Sequence, residues 1–199
     1  MKYSNLYLAL QNFKGAQGDE MNLAKAFEQI AKAAFYTGYF LVNKGQNDEY
    51  KIKLTCIEFY YHEDKGEIKD PKKYLKGEKE FDYPIGALCP NPSGIDVLFD
   101  SPNKEYHASF LIRGYKAIQN GKPDYENNQK SKKWNTQDVW YDLLGGANML
   151  NTGSFSIEWV DEVSDEPNVV YTMERVNLEE LDRKNNRKWA YTKYPIKED

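Results

Sequence analysis

The chain has 199 residues, 40% of them hydrophobic and 29% charged, and a formal net charge of −4. Those values describe one globular domain with a substantial core, and no stretch is long and apolar enough to span a bilayer. The acidic balance argues against a surface that binds nucleic acid by charge along its whole length, while leaving room for a local basic face.

In chain order, residues 20–36 place Leu23, Phe27, Ile30 and Ala34 at helical spacing, with Gly38 positioned to stop the helix. Residues 1–19 read as an N-terminal extension. Tyr39 to Val42 reads as a short strand, Lys44 to Asp48 as a turn, and Tyr50 to Tyr61 as the second strand of a hairpin. Residues 62–92 are polar and turn-rich, the pattern of a long loop. Two strands follow, Ile95 to Phe99 and His107 to Tyr115. Residues 119–135 form a polar, lysine-rich loop around Asn120-Gly121, and Thr136 is placed to cap a helix through Val139, Trp140, Leu143 and Leu144. Gly145-Gly146 breaks that helix. Short strands around Ser154 to Val160, Val169 to Leu178 and Trp189 to Tyr194 complete the pattern. Without regular alternation of strand and helix, the order indicates an α+β domain over residues 1–199, with a mixed, largely antiparallel sheet.

Within the second strand, Leu54, Cys56, Glu58 and Tyr60 are expected on one face, and Thr55, Ile57, Phe59 and Tyr61 on the other. Glu58 therefore stands on a mostly apolar face beside an aromatic ring. Such a carboxylate is paired or held ready for chemistry. Arg113, in the apolar strand His107 to Tyr115, is its expected partner. Asp96 is a second carboxylate in an apolar strand, read as paired with a lysine or a backbone amide. His62 and His107 read as surface or loop residues. Cys56 and Cys89 are too few for a disulfide framework, and no Cys/His spacing suggests zinc, so no metal or cofactor is expected. Three basic clusters (Lys72 to Lys79, Lys130 to Lys133 and Arg183 to Lys188) are interleaved with acids or polar residues and read as solvated surface. With no leader pattern at the N-terminus, a cytoplasmic location is the default.

Several segments, taken in order, resemble the 3-methyladenine DNA glycosylase family. Leu23 to Phe27 followed by Phe40-Leu41-Val42 is similar to its opening helix and strand, and Ile57-Glu58-Phe59-Tyr60 to its Glu-x-Tyr strand. Gly94 to Phe99 takes the place of a Gly-x-Leu-Tyr-Val-Tyr strand, and Ala108 to Arg113 looks like its Leu-Leu-Arg strand. Gly145 to Leu150, Glu174 to Leu178 and Lys188 to Tyr191 are similar to its remaining segments. The resemblance implies a curved sheet flanked by helices and a base excision repair enzyme that flips a damaged purine out of DNA. By the same resemblance, Glu58 would activate water, Arg113 would hold it, and Tyr60, Phe99 and Leu178 would line the base pocket. Tyr106, His107, Lys130, Lys132 and Lys133 would contact DNA, with Tyr106 or His107 as a wedge. DNA carrying damaged purines would be the partner of a monomer, with no membrane involved. The chain departs from the family in three places: no histidine follows the Glu58 strand at the family's position, Phe99 replaces a pocket tyrosine, and the wedge hairpin is short, Asp100 to Tyr106. A glycosylase-fold protein that instead binds a nucleobase, a nucleoside or a protein partner is the alternative expectation.

Overall fold

The computed structural model describes residues 4–16, 19–45, 49–70, 82–119, 122, 124–128, 136–145, 155–175 and 187–196. Helix α1 (Asn5–Gln11) starts at Ser4, whose hydroxyl accepts from the Tyr7 amide. Its Asn5 amide donates to Asp161 at 3.0 Å, and Leu6 and Leu10 are buried. The first nineteen residues thus add Leu6, Leu10, Phe13 and Ala16 to the core. Helix α2 (Glu20–Tyr36) covers the expected span. The Asp19 carboxylate caps it by accepting from the Met21 amide, Glu20 complements the dipole, and the helix ends at Thr37.

The strands are β1 (Gly38–Asn43), β2 (Glu49–Glu63), β3 (Leu88–Asn91), β4 (Gly94–Leu98), β5 (Tyr106–Gln119), β6 (Tyr125–Asn128), β7 (Ser156–Asp161), β8 (Tyr171–Met173) and β9 (Ala190–Thr192), with α3 (Thr136–Leu144) after β6. They form one sheet in the order β3-β4-β5-β2-β1-β7, with β6 on β5, β9 on β2 and β8 on β9. Among the described residues the fold is α+β, a curled half-barrel with three helices, and every strand pairing is antiparallel. The α+β class and the largely antiparallel, curved sheet are as the sequence indicates. The long loop expected over 62–92 contains β3, and the polar loop over 119–135 contains β6. No helix among the described residues is long and apolar enough to cross a membrane.

The helices lie on one face of the sheet, which carries the aromatic core. Phe13 and Phe27 stack at 5.8 Å, Phe27 stacks in turn on Phe59, and Phe59, Phe99 and Phe110 pack edge to face or tilted against one another. Between β2 and β5 the register slips twice, leaving Thr55 and Arg113 without direct cross-strand partners. This double bulge inverts the alternation. Ile57, Phe59 and Tyr61 face the core beyond it, whereas Ile52 and Leu54 do so before it. Leu54 therefore does not share the Glu58 face as its position in the sequence implies. The outer neighbours also change here: β2 pairs with β1 up to Ile52 and with β9 from Cys56, while β5 passes from β4 to β6.

Candidate functional site

Glu58 lies on the sheet face opposite the aromatic core. A cross-strand row runs Cys89, Asp96, Leu111, Glu58, Ala190, Met173, each residue opposite the next. Directly paired residues project from the same face, so two carboxylates flank Leu111. Glu58 is 0% exposed and Arg113 5%. The guanidinium meets the carboxylate side-on, Nε donating to Oε2 at 3.2 Å and Nη2 to Oε1 at 3.4 Å. The Tyr60 hydroxyl donates to Oε1 as well, and Arg113 Nη2 lies 3.5 Å from that hydroxyl. The bulge explains how Arg113 reaches its partner, because the extra residue re-aims a side chain that regular pairing would set opposite a neighbour.

Burial, followed by the negative charge of Glu58, raises the Tyr60 phenol well above its ordinary range, so at neutral pH it is a donor. Burial works against the charge on Arg113, but Glu58 and Tyr60 outweigh it and raise its pKa. The three groups are a desolvated unit in which removal of any one strands the others.

Further along the same face, Asp96 accepts from Ser109 Oγ at 3.2 Å and from Asn91 Nδ2 at 2.5 Å. A side-chain hydroxyl and a side-chain amide thus hold this carboxylate. His62 and His107 are directly paired across β2 and β5, two positions beyond Tyr60 and Ser109. His107 is buried, with Nδ1 3.0 Å from Asp100, and both rings approach Asp64. Expected as surface or loop residues, both stand in strands instead, and His107 is buried. Strand alternation alone, 58, 60, 62, already places His62 on the Glu58 face. Among the described residues, no group of three or more His, Cys, Asp or Glu side chains is arranged to hold a metal ion.

The other expected site residues are scattered. Phe99 is 1% exposed on the core face, 5.2 Å from Phe13, and so does not share a face with Glu58. Tyr106 turns toward the core, its ring 5.2 Å from Phe13 and its hydroxyl donating to the Phe13 carbonyl. Neither Tyr106 nor the buried His107 projects as a wedge. Leu178, Lys130, Lys132 and Lys133 lie outside the described residues, as do Lys72, Lys73, Lys76 and Lys79. Of the last basic cluster, Arg187 and Lys188 are described: Arg187 lies over the Trp189 ring and bonds to Glu20, and Lys188 is exposed.

Comparison with protein-family models, with curated proteins and with solved structures finds no match to this chain. What the site can do chemically therefore rests on its own groups. These are a carboxylate able to accept a proton or face a developing positive charge, a guanidinium that orients it, and a phenol that donates.

Proposed function

We propose that Glu58 is the general base of an N-glycosylase that removes alkylated or otherwise damaged purines from DNA. In this reading, one carboxylate oxygen takes a proton from water as the water oxygen attacks the anomeric carbon of a flipped-out nucleotide. The carbon–nitrogen bond breaks with its electron pair passing to the base. The same carboxylate faces the positive charge that builds on the sugar, and the base is received beside Tyr60. Arg113 holds the carboxylate in register without consuming all of its acceptor capacity, since a carboxylate offers about four lone-pair sites. The observation carrying this reading is the buried Glu58–Arg113–Tyr60 unit on the face away from the core. The resemblance of the Glu58, Arg113 and Tyr60 segments to the glycosylase family adds to it. Such an enzyme would act as a cytoplasmic monomer.

The test is incubation with a methylated oligonucleotide, followed by alkaline cleavage at abasic sites. Wild-type protein should generate such sites and folded Glu58→Gln should not. Full activity in that variant overturns the assignment.

A second reading is favoured by two observations. Both Glu58 oxygens are engaged and the group is fully enclosed, the geometry of a structural pair. Before the bulge, Lys53 and Lys116 stand opposite each other, but Glu162 and Asp124 pair with them, which weakens a phosphate-binding surface. On this reading the protein keeps the site without the repair reaction and binds a nucleobase, a nucleoside or a protein partner. It predicts no DNA affinity at low ionic strength, whereas a steep salt dependence of DNA binding counts against it.

A further inference from the structure

β9 accompanies β2 only as far as Glu58, which is opposite Ala190. The Trp189 carbonyl still receives the Phe59 amide at 2.8 Å, but the Phe59 carbonyl and the Tyr61 amide on that same edge need other partners. A buried ion pair supplies them. Arg175 Nη1 donates to the Phe59 carbonyl at 3.4 Å, and Asp70 Oδ2 accepts from the Tyr61 amide at 3.4 Å. The two side chains are joined at 2.6 Å and 3.4 Å, and are 5% and 0% exposed. The Asp70 amide also donates to His62 Nδ1 at 3.2 Å. The Arg175 guanidinium lies 5.1 Å from the Tyr60 ring centre and 5.4 Å from that of Trp189. Residues 59, 61 and 62 are thus held through backbone or ring nitrogen, and the ring of residue 60 is covered.

We propose that Asp70 and Arg175 are the positioning pair of the Glu58 site, fixing Tyr60 and, through its hydroxyl, the carboxylate. The inference rests on Glu58 as the reactive group, although the contacts themselves do not. An edge tied by mobile water would let the β2 backbone and the Tyr60 ring shift together. A two-pronged charge pair anchored at both flanking residues removes that freedom. Arg175 also occupies the side of the Tyr60 ring it covers, so a stacked base has the opposite side.

The test uses Arg175→Lys, Asp70→Asn and the double variant Asp70→Asn/Arg175→Met. The last avoids leaving a buried charge alone. Spectra of protein labelled at tyrosine Cζ, with Tyr60 assigned through Tyr60→Phe, report the phenol directly. In folded variants the Tyr60 signal should move and its hydroxyl proton should exchange about tenfold faster or more, a local loosening. Tyr115, on the far side of the bulge, should be unchanged. On methylated DNA, kcat should fall about 100-fold with little change in KM, the scale of a small misplacement. An unmoved Tyr60 signal in a folded variant overturns the proposal, and so does failure of all three variants to fold, which would make the pair a pillar of stability alone. If the wild-type protein releases no base while the Tyr60 signal moves as expected, the reading of Glu58 fails and the positioning stands.

Discussion

Phe27 lies flat against Phe59, ring centres 4.2 Å apart and planes 5° from parallel. Phe59 is next to Glu58 in β2, so this stack fixes the back of the strand whose front carries the carboxylate. Both rings are 0% exposed. Phe27→Ala should cost about 3–5 kcal/mol, through lost transfer energy and the cavity left behind. Urea denaturation would show it as a lower midpoint, and a loss below about 1 kcal/mol would mean that the stack contributes little.

The Glu58–Arg113 pair makes a prediction about stability that is independent of any activity. Glu58→Gln leaves a buried guanidinium without its counter-charge and should destabilise by about 3–5 kcal/mol. Replacing both groups, as in Glu58→Gln/Arg113→Met, should recover much of that loss. Additive losses in the double-mutant cycle would show that the two groups are not coupled.

Gly114 is where the bulge depends on having no side chain. A Cβ there would lie 2.9 Å from Thr55 Oγ1 and 3.0 Å from Cys56 Cβ. Gly114→Ala should destabilise by about 1–3 kcal/mol through overpacking, and the shift should propagate to the adjacent Arg113. Calorimetry reads the first effect, and the guanidinium resonances of Arg113 read the second.

Alkaline pH should unfold the protein through its buried phenols. Burial is the leading cause that raises Tyr60, Tyr61, Tyr106, Tyr115 and Tyr191, and Tyr106 reaches about 12 against an ordinary 10.0. The folded state thus holds these protons more tightly than the unfolded chain. Their stabilising contribution is complete below about pH 10 and is lost as pH rises through the folded values. The urea midpoint should fall steeply above about pH 10, and phenolate absorbance from these residues should appear together with loss of circular dichroism. Phenolate appearing well before unfolding would contradict this.

Strong local signals carried over from sequence to structure. The apolar spacing of α2, the alternation in β2 and the turn glycines fix the main elements within a few residues, and the Glu58–Arg113 contact follows from two charges in apolar strands. Elements with little signal were missed. Helix α1 is seven residues long and its leucines, Leu6, Leu8 and Leu10, alternate as in a strand, β3 contains Pro90 and sits at a sheet edge, and β6 is the polar run Tyr-Glu-Asn-Asn. The bulge could not be foreseen, because it depends on how two distant strands register. Phe99 was misplaced for a different reason. It is an odd number of positions from Asp96, so alternation already set it on the opposite face, and the resemblance to a pocket tyrosine outweighed that parity.

Apart from Tyr60, the groups described around Glu58 come from far away in the chain: Arg113 lies 55 residues downstream, and β9, with the β8 strand behind it, much further still. Contacts of such long range form late, since chain entropy has to be overcome before they add anything. The β9 end of that edge is rooted in the core, with Trp189 edge to face on Phe27, and Tyr191 edge to face on Phe59 and donating to the Ala24 carbonyl. Peeling these two three-residue strands from β2 would bare the carboxylate to water only by drawing Tyr191 out of the aromatic layer. Entry of solvent to this acid is then tied to loosening of the core and is not an independent fraying of the sheet margin.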